Sequence, residues 1–301
     1  MGQIALTGSN GLIGTALRRE MEQRGWRVLL LTRKPPAQSS EIRWDPTGQT
    51  PFSPDAIARI NECDAVVHLA GENVAGGYWT QERMRRIRDS RVVGTRTLVA
   101  ALCAADKAPT FISASAVGFY GNRGDELLDE SSRAGAGFLA EVCQEWEAAA
   151  TEAQRCGART VITRFGVVLA RHGGALAKML PAFRLGLGAR LGSGAQWVPW
   201  VSLEDAVRAL LRLIENSSAS GEYNITAPEP VTQREFADEL ASALRRPRLA
   251  WAPSPLLRLL AGKMADEALL ASERVLPKRL QAEGFVFKDA SLASTLRRIL
   301  R

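Results

Sequence analysis

Apolar and polar positions follow two rhythms along the first part of the chain. Gln3-Ile4-Ala5-Leu6 is a short apolar run of strand length. Beyond it, Leu12, Ile13, Ala16, Leu17 and Met21 recur at helical spacing, and Gly25 supplies a stop signal. Trp26 to Leu31 is a second strand-length run, so these residues predict one strand–turn–helix–strand unit. Ala65 to Ala70 reads as a buried parallel strand that ends in a turn at Gly71. Residues 79–106 are helical in character, Thr110 to Ser115 is the next strand, and Phe138 to Cys156 has helix composition up to Gly157. Val161 to Arg164 makes a further strand. Strands and helices alternating at these lengths predict an α/β fold with a doubly wound parallel sheet.

Past residue 170 the texture changes. Gly173, Gly174, Gly186, Gly188, Gly192 and Gly194 punctuate a loop-rich segment that carries Trp197, Pro199 and Trp200. Residues 202–216 return to a helix and Glu222 to Thr226 to a strand. From Val231 the chain is mostly helical, closing with Leu276-Pro277-Lys278-Arg279-Leu280 and a last helix. This divides the chain into residues 1–170, with 201–226 returning to them, and a smaller, mostly helical region of 171–200 and 227–301. The second region is expected to fold over the strand ends as a lid and pocket for a substrate.

The first turn carries the most specific chemistry. Thr7-Gly8-Ser9-Asn10-Gly11-Leu12-Ile13-Gly14 falls between the first strand and the first helix. Gly8 lets the chain turn sharply, Gly11 lets the backbone approach a pyrophosphate, and Gly14 lets the helix pack on the sheet. The helix N-terminus adds free N–H groups and a positive dipole. Gly8, Asn10, Gly11, Leu12, Ile13 and Gly14 are therefore expected to hold a dinucleotide on a Rossmann-type domain. At the end of the second strand an NAD site usually places a carboxylate for the ribose hydroxyls. Here the residues are Thr32-Arg33-Lys34. Arg33 can clamp a 2′-phosphate and Thr32 can donate a hydroxyl, so NADP is the expected cofactor.

Composition excludes little and adds little. The 301 residues are 46% hydrophobic and 24% charged, with a net charge of +7. A basic balance fits an anionic ligand or a solvated surface, and no nucleic-acid signature accompanies it. The longest apolar runs are far too short to cross a bilayer, and no basic leader precedes the first strand, so a cytoplasmic, non-membrane protein is expected. Cys63, Cys103, Cys143 and Cys156 show no paired or metal spacing and are expected to be thiols, with no metal bound.

Thr7-Gly8-xx-Gly11-xx-Gly14, Leu69-Ala70-Gly71, Ser113-Ala114-Ser115 with Tyr120-Gly121, and Ser202-Leu203-Glu204-Asp205-Ala206 resemble the extended short-chain dehydrogenases and nucleotide-sugar epimerases. Leu69 to Asn73, Ser115 to Gly121, Pro181 to Gly188 and Leu276 to Leu280 with Gly284-Phe285 resemble one subgroup, the epimerase family proteins with a small C-terminal domain. The resemblance implies that Leu69, Ala70 and Gly71 pass under the ribose and nicotinamide, that Ser115 holds the catalytic serine position, and that the protein pairs as a homodimer. Ser113 is read either as a cofactor contact or as a cap, and Tyr120 as a catalytic or pocket-lining residue. Arg164, at a strand end, is placed to reach a cofactor or substrate phosphate. Arg86 and Arg91 either do likewise or form a solvated helix face. Trp197 and Trp200 are expected to pack against the lid.

One departure is plain. The family's acid/base couple, a Tyr with a Lys four residues on, should fall near Phe138 or Leu139 with Val142 or Cys143, and no Tyr-xxx-Lys occurs anywhere. Glu141 lies on the same helix, as a base or as an exposed residue. Two readings follow: an NADP-dependent oxidoreductase or epimerase acting on a small substrate, sugar-like or otherwise, or a silent NADP(H)-binding sensor.

Overall fold

The computed structural model describes residues 2–104, 109–248 and 250–301. Seven parallel strands form the central sheet: β1 (Gln3–Thr7), β2 (Arg27–Thr32), β3 (Glu41–Arg43), β4 (Ala65–His68), β5 (Thr110–Ala116), β6 (Thr160–Phe165) and β7 (Gly221–Ile225). Their spatial order is β7-β6-β5-β4-β1-β2-β3. The order reverses between β1 and β4, which is where ligands gather in open α/β sheets. The inner strands β1 and β4 are buried on both sides, as helices cover both faces of the sheet. On β1, Ile4 and Leu6 join one core with Leu17 and Leu210, while Ala5 joins the opposite core with Leu29 and Leu98.

Helices α1 (Leu12–Gln23), α2 (Pro54–Asn61), α3 (Gln81–Cys103), α4 (Phe138–Thr151), α5 (Gly174–Arg184), α6 (Leu203–Glu215) and α7 (Gln233–Ala243) follow in turn. Local signals place their starts. Ser53, Thr80, Ser202 and Thr232 each accept a backbone N–H at an N-cap. The expected helix over 79–106 begins at Gln81 and runs to Cys103; residues 105 and 106 lie outside the described residues. The expected helix over 138–156 is α-helical to Thr151 and tightens into a 3₁₀ segment to Cys156.

The thiol expectation is corrected for one pair. Cys103, at the end of α3, and Cys156 form a disulfide, with Cα atoms 5.1 Å apart, because the 3₁₀ segment packs against α3. Cys63 and Cys143 are free and buried.

The C-terminal region is fastened to the sheet rather than merely laid over it. Helices α8 (Ser254–Ala261), α9 (Lys278–Ala282) and α10 (Leu292–Leu300) complete the chain. Arg279 donates to the Glu222 carbonyl (2.8 Å) and to the Tyr223 hydroxyl (3.0 Å) on β7, and Asn224 donates to the Leu276 carbonyl. Asp205 on α6 accepts the backbone N–H of Lys288 and Asp289. A third core of Leu176, Leu180, Phe183, Trp200, Phe236 and Leu296 joins α5, α7 and α10. No helix among the described residues is long and apolar enough to cross a membrane.

Thr7 ties the two strands at the switch point. Its hydroxyl accepts the N–H groups of Leu69 (3.1 Å) and Ala70 (3.2 Å), so its own proton goes to Nδ1 of His68 (2.7 Å). His68 is fully buried, and burial with the nearby Arg91 charge lowers its pKa to about 3. The native state therefore holds it neutral while the unfolded chain takes up a proton below its ordinary pKa, so this contribution to stability is lost as pH falls. Between about pH 6 and pH 5, stability should fall by about 1 kcal/mol through this group. Denaturant titrations of the native protein and of His68→Asn at both values check it; parallel pH dependences would contradict it.

Candidate functional site

The glycine turn has the geometry its spacing implies. Gly8 has φ +68°, and a Cβ there would lie 2.8 Å from the Leu69 carbonyl group. A Cβ on Gly14 would lie 2.2 Å from the Gly8 oxygen, so the glycine is what lets α1 seat against the strand end. Gly11 has only the Gly8 oxygen near its Cβ direction. No side chain caps α1, which leaves its first N–H groups for an anion. Gly8, Gly11, Leu12, Ile13, Gly14 and Leu69 line a cavity of about 400 Å³ together with Val167, Val168 and Gly174. Asn10 lies at an adjoining cavity with Gly11, Leu12 and the exposed His172. This cradle fits a pyrophosphate.

At the end of β2, Thr32 donates to the Lys34 carbonyl (2.9 Å) and so shapes the turn that presents Arg33. Arg33 is exposed and has no hydrogen-bond or ion-pair partner among the described residues. A free guanidinium at this strand end suits a 2′-phosphate.

A second pocket of about 170 Å³ adjoins the cradle, and Val167 lines both. Its walls include Ala116 at the end of β5, Gly118 just after it, Leu139, Val142 and Cys143 on α4, Arg91 on α3, and Trp197, Glu267 and Glu273 from the later chain. Arg91 sits against Gly71 and over Trp146, with Nη1 donating to the Glu72 and Ile87 carbonyls. Glu267 accepts the N–H of Phe138 (3.1 Å) and of Leu139 (2.8 Å), capping α4 where the family's Tyr would sit. Burial pushes the Glu273 carboxyl up to about 8. Burial and the Glu147 charge push the Cys143 thiol up to about 12. Trp197 donates to Asp125 and carries the Arg274 guanidinium on its ring, while Trp200 is buried and donates to the Glu229 carbonyl.

Several expected ligand residues lie away from these two cavities. Ser115, Arg164 and Asn224 are side by side on β5, β6 and β7 and face α4. Ser115 donates to Glu147 (2.6 Å), Arg164 pairs with both Glu147 oxygens, and Tyr120 donates to Asn224 and accepts from Arg164. Ser115 and Arg164 are 3% exposed and Tyr120 is 0% exposed, so this is an internal network and not a pocket wall. Burial lifts the Tyr120 phenol to about 12, which leaves it protonated at neutral pH. Ser113 is inside the sheet, its hydroxyl on the Ala114 carbonyl. Arg86 faces solvent 3.6 Å from Glu82, and Glu141 is exposed. Glu267 and Glu273, by contrast, had no expected role, and Glu273 stands between Ser272 and Arg274, so nothing local in the sequence marks it.

Comparison with known proteins bears on this arrangement. Residues 4–226 match the model of the NAD dependent epimerase/dehydratase family, and residues 252–299 match a domain of unknown function, DUF1731. The chain is 43% identical over 293 residues to an epimerase family protein of Mycobacterium leprae, covering 97% of this chain and 94% of that one. A human epimerase family protein solved with NADPH is 32% identical, with TM-score 0.88, over 99% of this chain and 98% of that one. A nucleoside-diphosphate sugar epimerase from Corynebacterium glutamicum is also 32% identical, with TM-score 0.82, over 99% of this chain and 58% of that one.

Proposed function

This chain belongs to the NAD dependent epimerase/dehydratase family, and on that premise we propose that it binds NADP(H) and works as an oxidoreductase or epimerase with an atypical active site. The observation that carries the cofactor choice is Arg33, exposed and unpaired among the described residues at the end of β2, where an NAD site would hold a carboxylate. The human relative solved with NADPH supports the same choice. The uncapped start of α1 would hold the pyrophosphate, Arg33 the 2′-phosphate, and Leu69 to Gly71 the inner ribose. Bound there, the cofactor would supply hydride transfer at the end of the groove that meets the second pocket.

The chain's own part in proton handling departs from the family. Phe138 and Leu139 have no ionisable group, Val142 is apolar, and the Cys143 thiol keeps its proton. Ala116, and not Ser115, is the β5 residue on the pocket. These same observations favour a second reading, a protein that binds NADP(H) without turnover and acts as a sensor. Consumption of NADPH with a panel of small carbonyl compounds distinguishes the two.

Arg33→Ala should weaken NADPH about 10- to 100-fold, the worth of a charge-assisted pair, and leave NADH unchanged. Calorimetric titration of both nucleotides checks it. An equal loss for both would contradict a 2′-phosphate role for Arg33.

A further inference from the structure

The pocket beside the cofactor groove combines three features that the cofactor itself does not explain. First, it is small: about 170 Å³, below the roughly 300–1,000 Å³ of sites that take drug-sized ligands. Second, Arg91 lines it without an ion-pair partner among the described residues. Only Nη1 is engaged, by the Glu72 and Ile87 carbonyls. Third, Glu273 lines it while only 9% exposed, and its carboxyl has no hydrogen-bond or ion-pair partner among the described residues. Both groups face the pocket with hydrogen-bonding capacity that no side chain among the described residues takes up.

The remaining charges at the pocket are accounted for. Glu267 is spent on the two N–H groups that open α4, where the helix dipole favours its charge. Cys143 is held as a thiol by burial. Arg274 lies over the Trp197 ring. Glu147, behind Cys143, is paired with Arg164. Burial raises the Glu273 pKa to about 8, so at neutral pH it stands as a carboxylic acid. The pocket then presents the Arg91 cation, without an ion-pair partner among the described residues, one acid proton and apolar walls of Leu139, Val142, Val167 and Val198.

We propose that this pocket binds a small organic carboxylate, with the anionic group on Arg91 and a second oxygen on the carboxyl of Glu273. A three- or four-carbon acid matches the volume, whereas a nucleoside-diphosphate sugar does not. The inference rests on the reading above only in placing the pocket next to the cofactor; the chemistry of the pocket stands by itself.

The test is calorimetric titration of the full-length protein with oxamate, alone and with saturating NADP⁺, beside a separate titration with NADPH. Saturable oxamate binding is expected. Arg91→Gln should weaken it by about tenfold or more, as loss of a charged hydrogen bond does. In the native protein, oxamate binding should weaken as pH rises through about 8, because an ionised Glu273 repels the carboxylate. Glu273→Gln keeps a donor and should bind oxamate with that pH dependence removed. Where Arg91→Gln fails to fold, Glu273→Gln carries the test through its pH profile. No oxamate binding under either condition overturns the proposal, as does equal binding of the neutral analogue propionamide or binding of UDP-glucose in its place. Failure of NADPH to bind strikes the cofactor reading alone, since oxamate binding without nucleotide is measured independently.

Discussion

Arg164→Met lowers the unfolding free energy by about 3–5 kcal/mol, the cost of leaving one member of a buried ion pair uncompensated. The guanidinium donates to both oxygens of Glu147, at 2.8 and 2.7 Å, and to the Tyr120 hydroxyl at 3.0 Å, and it stacks 3.6 Å from the Phe119 ring centroid. Burial alone would lower its pKa, but the Glu147 bond and charge more than offset this, and the charged form is held. Removing it leaves the Glu147 carboxylate buried with the Ser115 hydroxyl as its only remaining side-chain donor among the described residues. The double variant Arg164→Met with Glu147→Leu should recover much of the loss, since apolar replacement of both partners is often close to neutral. Denaturant midpoints of the two variants decide the point. A single variant within about 0.5 kcal/mol of the native protein would contradict the account, because that is the scatter of a surface substitution.

Gly14→Ala is the largest expected effect on binding. The added methyl would lie 2.2 Å from the Gly8 oxygen and 2.8 Å from the Gly8 carbonyl carbon, both backbone atoms, so α1 must move off the strand end. Losing the charge-assisted hydrogen bonds from α1 to the pyrophosphate, each worth about 1.5–3 kcal/mol, should weaken NADPH about 100-fold or more, equivalent to about 2.7 kcal/mol or more. Helix propensity acts the other way, since Ala exceeds Gly by about 1 kcal/mol in a helix. Unchanged helix content together with lost affinity would therefore assign the effect to the cradle. Full affinity in Gly14→Ala would mean that the nucleotide does not depend on how α1 meets the turn.

How far the sequence carries the structure depends on the range of the interactions. The first βαβ unit is local: Gly8, Gly11 and Gly14 each meet a steric need set within a few residues, and the apolar runs of β1 and β2 bound them. The free Arg33 is legible for the same reason. The positions of Ser115, Tyr120 and Arg164 are not. Side chains alternate faces along a strand, so a one-residue difference moves a group from the ligand end of β5 to the helix-covered face. Ala116 lines the pocket, and Ser115 meets Glu147 instead. Glu267 is 128 residues along the chain from Leu139, and only the folded C-terminal region brings it to the first turn of α4 and Glu273 to the same pocket. Leu276 and Arg279 carry no chemistry of their own in sequence, yet they fasten that region to β7. The Cys103–Cys156 pair likewise follows from the packing of α3 and leaves no trace in cysteine spacing.

The most direct test of the central claim is a calorimetric titration of the native protein with NADPH and, separately, with NADH. The free Arg33 and the uncapped α1 predict that NADPH binds at one site per chain, about tenfold or more tighter than NADH. Equal affinity for the two, or no binding of either, would contradict it.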